Sequence, residues 1–175
     1  YAFLPRSIIG GFKSFWSLET RMAERKGTVG TWRDRRIRYL VDMAFFIGLS
    51  AAVAGLAGIV FFLAQSLVAI VLLEVINYLE HYGLQRKRDG DKYERVQPEH
   101  SWNSGHALTG RILFGLPRHS DHHFLASRPY PILHHHADAP QLPAGYATMF
   151  LATLVPPLWR RIMDPRVAAL GQSAT

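Results

Sequence analysis

The sequence has no cysteine, and it has no Asp, Glu, Lys or Arg between residues 43 and 73. The absence of cysteine excludes disulfide bonds, cysteine-ligated zinc or iron–sulfur centres and a thiol nucleophile, because each of them needs the missing sulfur atom. The absence of charge over residues 43–73 disfavours a buried helix pair in a soluble protein, since soluble core helices normally carry a polar stripe. The segment therefore indicates insertion into a membrane.

This apolar segment is too long for one upright membrane-spanning helix. At about 1.5 Å per residue, a continuous helix over residues 43–73 measures roughly 46 Å, whereas the hydrocarbon core of a bilayer measures about 30 Å. A glycine-containing turn at residues 54–58 divides the segment into spans at about residues 39–54 and 59–77. We therefore predict an all-α fold with a transmembrane helical hairpin; a single, steeply tilted helix is the alternative.

Basic residues flank the apolar segment on both sides. Residues 1–38 contain nine Lys or Arg against three acidic residues, and five more Lys or Arg follow within residues 86–95. Positive charge at both ends of a hairpin predicts that both ends lie on the cytoplasmic side of the membrane. Nothing in the sequence resembles a recognition helix or a base-stacking module, so we expect no nucleic-acid partner.

The sequence divides into four predicted regions. Residues 1–38 form a basic segment with an amphipathic helix that lies either at the membrane surface or against the rest of the protein. Residues 39–80 form the hairpin, and residues 81–145 form a histidine-rich cytoplasmic cap with a helix at about 108–124. Residues 146–175 form an apolar helix and a tail. The apolar stretch of that helix, 146–158, is too short to span a bilayer, so we expect it to be interfacial or docked.

The histidines predict a metal centre. None of the nine precedes His81 and none follows His136. On a helix, His119, His122 and His123 stand at positions i, i+3 and i+4, so their imidazoles project from one face and can converge on a metal ion; a solvated polar face is the alternative. With imidazole and no thiolate, zinc, iron, copper and nickel are all allowed.

A second polar cluster lies at the cytoplasmic end of the second span. Glu74, Asn77 and His81 stand at i, i+3 and i+7, on one face of the helix. A carboxylate in the last turns of a span is costly unless it is paired or binds a ligand, which favours a functional role for Glu74. The alternative is interfacial snorkelling by Glu80 and His81. Together the two clusters predict a metal site at the membrane boundary, where an apolar substrate can arrive from the lipid.

Three ordered motifs carry a family resemblance. Residues 77–83, NYLEHYG, resemble the NYxEHYG motif of the membrane alkane 1-monooxygenases, which are integral-membrane, non-haem di-iron hydroxylases. Residues 116–123, LPRHSDHH, resemble that family's last histidine box, LQRHSDHH, and residues 101–106, SWNSGH, are similar to its HSWNSxH segment. Residues 139–146 and 163–165 match its tail.

The resemblance implies an activity and a location. The activity is oxidation of the terminal carbon of a medium-chain alkane to a primary alcohol, with molecular oxygen and with two electrons from rubredoxin. The alkane would come from the lipid phase. The implied location is the bacterial inner membrane, with a multi-pass topology and the metal site on the cytoplasmic side.

The resemblance also implies a ligand set for two non-haem iron ions, namely His81, His119, His122 and His123. Residues around the ligands are expected to orient imidazoles, as the partners of metal-bound histidines do; the candidates are Glu74, Asn77, Glu80, His100, His106 and Asp121. The run at residues 134–136 is expected at the surface, because three consecutive residues cannot share one face of a helix or strand.

The sequence departs from the family upstream of these motifs. The family's HExxHK and EHxxGHH boxes have no counterpart, and the motifs present supply four of the nine family histidines. We therefore expect the chain to be the C-terminal part of such an enzyme and to be inactive when isolated.

Three other interpretations stay open. A related membrane di-iron enzyme, either a xylene monooxygenase or a fatty-acid desaturase, shares histidine boxes and topology, although desaturases usually lack the NYxEHYG partner. A non-enzymatic membrane metal-binding protein is the third. Basic residues of the cap favour docking of an acidic rubredoxin, although simple positive-inside charge also explains them: Arg86, Lys87, Arg88, Lys92 and Arg118.

Overall fold

The computed structural model describes residues 3–172, about two thirds of which are helical. The helices of this part are α1 (Phe3–Arg25), α2 (Arg35–His81), α3 (Ala107–Ile112), α4 (His119–Phe124), α5 (Tyr146–Thr153) and α6 (Pro156–Ala169). Two short strands, β1 (Arg88–Asp89) and β2 (Lys92–Tyr93), pair antiparallel, and single 3₁₀ turns lie at Pro98–His100 and Tyr130–Ile132. The prediction of an all-α fold is confirmed.

The chain forms two compact units, Tyr1–Glu74 and Val75–Thr175. The boundary falls inside α2. Its last turns belong to the second unit because three of their side chains, those of Val75, Leu79 and Glu80, are buried there. The helix that crosses the apolar segment of the sequence thus also supplies the first element of the histidine-rich unit.

Helix α2 reverses direction at its middle. Ala54 and Gly55 leave the helical conformation, and Gly55 has φ 58° and ψ −142°, a region that only glycine adopts without strain. The rings of Phe46 and Phe62 stack at 6.4 Å, whereas sixteen residues of straight helix would separate them by about 24 Å. A Cβ on Gly58 would lie 2.0 Å from a backbone carbonyl oxygen of the first arm. The two arms therefore run antiparallel and close together, with a tighter turn than the predicted 54–58.

The two arms suit a bilayer in length and in surface. Residues 35–53 and 56–81 measure about 28 and 39 Å as helices, against a hydrocarbon core of about 30 Å. Within residues 3–172, α2 is the helix long and apolar enough to cross a membrane. Its most apolar stretch is not buried by any other part of the described protein. Its exposed apolar surface is what a lipid-facing helix presents.

Helix α1 packs on the open end of the hairpin. Glu19 forms an ion pair with Arg35 at 3.2 Å, and the Ser7 hydroxyl donates to Glu74 Oε2 at 2.5 Å. The antiparallel arms bring residues 35 and 74 to the same end, so both contacts lie there. Of the two interpretations of the basic segment, the structure shows packing against the protein; a position at the membrane surface stays a prediction.

The second unit differs in detail from the sequence-based expectation. The helix expected at 108–124 is broken into α3 and α4, since Phe114 and Gly115 turn the chain with φ 50° and 79°. Helices α5 and α6 are separate and pack against each other. The stretch at 146–158 buries Tyr146 and Met149 in the unit and leaves Leu151 and Val155 exposed, so an interfacial position for its exposed part stays a prediction. The core of the unit is formed by Leu79, Trp102, Leu142, Tyr146, Met149, Ala152, Trp159, Met163 and Val167.

Candidate metal centre

The last residue of α2, His81, is held in one orientation by a backbone group. Its Nδ1 lies 3.1 Å from the carbonyl oxygen of His100. A carbonyl oxygen only accepts hydrogen bonds, so Nδ1 carries the proton and Nε2 keeps a free lone pair. His81 thus presents a nitrogen with a free lone pair, as a metal ligand needs.

Helix α4 brings two further imidazoles to His81. The Nε2 atoms of His119 and His81 lie 3.2 Å apart, and two nitrogens bound to one ion at about 2.1 Å stand roughly 3.0–3.4 Å apart at ordinary bond angles. The His123 ring centroid lies 4.3 Å from that of His119 and 5.3 Å from that of His81. Ligand atoms of the three side chains all lie within 4.8 Å of one another.

His122 stands apart from this cluster. Like His123 it is exposed, but its ring centroid lies 6.3 Å from that of His119, against 4.3 Å for His123. Its side chain lines an open cavity of about 210 Å³ together with Phe114, Tyr130 and Leu133. The structure thus brings together three of the four histidines predicted as ligands.

The surroundings keep these imidazoles neutral. Burial lowers the pKa of His119 to about 2, and the nearby His123, His81 and His122 add to the shift. The pKa of His123 is also lowered, by burial first and then by His81 and His122. Neutral imidazole is the form that binds metal ions.

The environment of one buried nitrogen, Nδ1 of His119, shows that the site fits a metal ion. Nδ1 of His119 is buried without a hydrogen-bond partner, and Glu80 Oε2 lies 3.2 Å from it but out of line for a hydrogen bond. An imidazole whose Nδ1 faces a carboxylate, and whose Nε2 faces another imidazole nitrogen, has the arrangement of a metal-bound histidine with its supporting acid. The residues present therefore fit a metal ion of the kind that imidazole binds.

Asp121 of α4 is held by residues that lie outside the histidine cluster. Its carboxylate is fully buried and accepts hydrogen bonds from Arg128 Nη1 at 2.5 and 2.7 Å, from the His134 amide at 2.9 Å and from His136 Nε2 at 2.8 Å. Burial alone would raise the pKa of the Asp121 carboxyl, but these donors lower it to about 2. The imidazole that Asp121 orients belongs to His136, outside the histidine cluster.

The run at residues 134–136 is only partly a surface feature. His134 and His135 are exposed, whereas His136 is partly buried through its bond to Asp121. The expectation of a surface run overlooked this bond, because the pattern shows neither the fold of the intervening loop nor the acceptor it reaches.

The other predicted residues lie in three different environments. Glu80 is buried and accepts a hydrogen bond of 2.5 Å from the Tyr146 hydroxyl. Glu74 pairs with Ser7 in the first unit, and Asn77 is partly buried.

His100 and His106 differ in their settings. The buried His100 ring accepts from the Gln97 amide at 2.9 Å and lies 3.1 Å from Glu94 Oε1, so it fixes the carbonyl that holds His81. His106 is exposed and lines a separate cavity of about 570 Å³ with Arg111 and Arg118.

Several contributing residues escaped the sequence-based prediction. Tyr146, Arg128 and His136 reach the buried acids from distant parts of the chain, and sequence spacing carries no information on such contacts. One signal was present: an acid between the histidines of HSDHH, if buried, needs donors from elsewhere.

These features define a class of protein. The long apolar helix α2 exposes an apolar surface of the kind that faces lipid, and it ends at His81. His81 and two histidines of the short helix α4 form a cluster suited to a metal ion. The class is a membrane protein with a histidine cluster suited to a metal ion.

Comparison with known proteins places the chain within this class. The profile described as fatty acid desaturase matches residues 1–153, and the chain belongs to that family. It is 48% identical over 171 residues to alkane 1-monooxygenase 2 of Alcanivorax borkumensis, and 49% identical over 172 residues to alkane 1-monooxygenase 2 of Pseudomonas aeruginosa. Each match covers 97% of this chain and 45% of the relative. The chain thus spans a little less than half of the length of these relatives.

A further relative bears on the alternatives. The hydroxylase component of xylene/toluene monooxygenase of Pseudomonas putida is 27% identical over 161 residues, which are 91% of this chain and 42% of that protein. The resemblance to alkane 1-monooxygenases is therefore confirmed, and the two named above are 48% and 49% identical, against 27% for the xylene-type relative.

Proposed function

We propose that this chain contributes part of the metal centre of an alkane monooxygenase. The reaction converts the terminal CH₃ of a medium-chain alkane to CH₂OH; O₂ and two electrons with two protons are consumed, and one water is released. The observation that carries the proposal is the convergence of His81, His119 and His123, which come from the two motifs shared with that family. The xylene-type alternative is disfavoured by its lower identity.

We assign the centre to two non-haem iron ions, with His81, His119, His122 and His123 as ligands from this chain. Bound iron would supply the activation of dioxygen. The chain's own residues hold the imidazoles: the His100 carbonyl fixes His81, and Glu80 faces His119. His122 joins the set on the family resemblance.

Two kinds of surface support the proposed substrate and electron donor. The exposed apolar side chains of α2 suit an alkane that arrives from the lipid phase. The basic side chains around β1 and β2, those of Arg86, Lys87, Arg88 and Lys92, suit an acidic rubredoxin. This arrangement corresponds to a multi-pass protein of the bacterial inner membrane with its metal site on the cytoplasmic side.

A chimaera tests the proposal. Residues 1–175 replace the matching segment of the Alcanivorax borkumensis relative, and membranes are supplied with rubredoxin, its reductase and octane. We expect 1-octanol from the chimaera, none from its His119→Ala variant, and near-normal turnover from the matched His135→Ala variant, which changes an exposed histidine outside the cluster.

Other products separate the alternatives. Turnover of a xylene but not of octane, or formation of an alkene from a fatty acyl chain, would replace the proposed substrate. A chimaera that holds iron but forms no product would refute the enzymatic role. The 175-residue chain alone is expected to be inactive, and electron transfer from rubredoxin is expected to slow as salt increases.

A further inference from the structure

We propose that Tyr146 is a positioning residue for the metal centre. Its hydroxyl holds the carboxylate of Glu80, and Glu80 in turn orients His119 with Nδ1 toward the acid and Nε2 toward the metal. This inference rests on the metal centre proposed above.

The first link is a short hydrogen bond in a dry environment. Tyr146 Oη donates to Glu80 Oε1 at 2.5 Å, and the two residues are 2% and 1% exposed. Burial and the neighbouring Glu80 raise the pKa of the Tyr146 hydroxyl, so it keeps its proton and remains a donor. A buried carboxylate held by one donor loses rotational freedom, and its second oxygen is left to face another group.

The second link is the approach of that second oxygen to His119. Glu80 Oε2 lies 3.2 Å from Nδ1, and this nitrogen is buried with no hydrogen-bond partner. A buried imidazole N–H needs an acceptor, and Glu80 is the carboxylate in reach. A small rotation of the ring would align the two. Nε2 would then point to the space between His119 and His81, where the two Nε2 atoms already lie 3.2 Å apart.

The position of Tyr146 in the fold explains how it can serve this purpose. It is the first residue of α5, and α5 packs against α6 around Met149 and Trp159, both of which are essentially inaccessible. No histidine follows His136 in the sequence. The two terminal helices therefore supply no imidazole to the metal, and Tyr146 links α5 to Glu80, the acid that faces His119.

A second tyrosine gives a matched control. Tyr82 Oη donates to Asp164 Oδ1 at 2.6 Å, and burial raises the pKa of that hydroxyl as well. Both tyrosines belong to the packed core or its border. They share a hydroxyl–carboxylate bond, but only the carboxylate of Glu80 faces a histidine of the cluster. Removing each hydroxyl in turn separates positioning of the metal ligand from general packing.

The experiment is a cobalt(II) titration of the 175-residue chain in detergent, followed by its visible d–d absorption, with the melting temperature of the metal-free protein recorded in parallel. We expect Tyr146→Phe to weaken cobalt binding about tenfold and to alter the spectrum, and Glu80→Gln to weaken it about 10–100-fold, the usual range for loss of a supporting partner. Tyr82→Phe should leave affinity within twofold and the spectrum unchanged. The Tyr146→Phe, Glu80→Gln double variant should bind no more weakly than Glu80→Gln alone, because both changes break one path.

Several outcomes would overturn the inference. Wild-type affinity and spectrum in Tyr146→Phe would remove the positioning role, and an equal loss in Tyr82→Phe would reduce the effect to packing. If the wild-type chain binds no cobalt at millimolar concentration, the proposed metal centre fails in this chain, a result distinct from failure of the Tyr146 link alone.

Discussion

Replacing Asp121 by Asn should destabilise the second unit more than any change at its surface. The carboxylate has no exposed area and accepts from Arg128, from His136 and from the His134 amide. An amide of the same size keeps one acceptor oxygen but turns an NH₂ group against these donors. It also leaves Arg128, whose side chain is 18% exposed, without its counter-charge.

Two independent arguments give the size of the effect. Removing one partner of a buried ion pair costs about 3–5 kcal/mol, and the partial exposure of Arg128 places this case at the lower end. The pKa of Asp121, held at about 2 against an ordinary 3.8, corresponds to about 2 kcal/mol of favourable interaction with the charged form. A loss of about 2–3 kcal/mol is on the order of 10–20 °C in melting temperature for a unit of this size.

The assay is thermal unfolding in detergent, followed by circular dichroism at pH 7. The control is Asp138→Asn, an exposed acid of the neighbouring loop, which should melt within 2 °C of the wild type. The reasoning is refuted if Asp121→Asn melts as close to the wild type as this control does.

Acid provides a second check on the same carboxylate. Because the folded pKa lies below the unfolded one, the stabilisation is complete above about pH 4 and is lost as the pH falls toward 2. The difference in melting temperature between the wild type and Asp121→Asn should therefore shrink as the pH falls from about 4 toward 2.

Three further predictions concern other parts of the chain. Gly58→Ala should lower the melting temperature, because its Cβ would lie 2.0 Å from a backbone carbonyl oxygen. Gly48→Ala, with open space around it, should leave the melting temperature unchanged. Equal melting temperatures of the two variants would argue against the tight hairpin. Asp34→Ala should lower the melting temperature by a few degrees at pH 7 and by less near pH 2, since the hydrogen bond from Arg36 holds the Asp34 pKa at about 2 and the carboxylate is lost on acidification. The free energy of unfolding of the metal-free protein should fall by about 2 kcal/mol between pH 7 and 5, because His119 binds a proton in the unfolded chain but not in the folded protein. Denaturant unfolding of His119→Gln should show a smaller fall, and an equal fall would place the pH sensitivity in other residues.

The hairpin could be predicted because its cause is local in the sequence. A charge-free segment about one and a half times the length needed for one span, and glycines at its centre, are both visible without a structure. The break between α3 and α4 was not visible in this way. Phe114 occupies a positive φ, which a non-glycine residue adopts only where its surroundings impose it, and the sequence pattern continued as a helix through that point.

The same distinction separates the histidines of the site. Helical geometry places His123 about 40° from His119 around the α4 axis and His122 about 60° away on the other side. Spacing alone therefore allows all three to share a face. The choice between His122 and His123 depends on the side from which His81 approaches, and α2 brings it to the side of His123.

The two motif histidines, His81 and His119, are supported by different chemical groups, and this difference arises from the fold. A backbone carbonyl orients His81, and the carboxyl group of Glu80 faces His119. Both groups lie at Nδ1, so Nε2 of each ring is the nitrogen left for a metal ion. The buried acid that faces His119 is adjacent to His81 in sequence. In the proposed metal centre, the NYLEHYG motif would supply one ligand directly and support the other through the neighbouring side chain, and this gives a physical reason why Glu80 and His81 stand together at the end of α2.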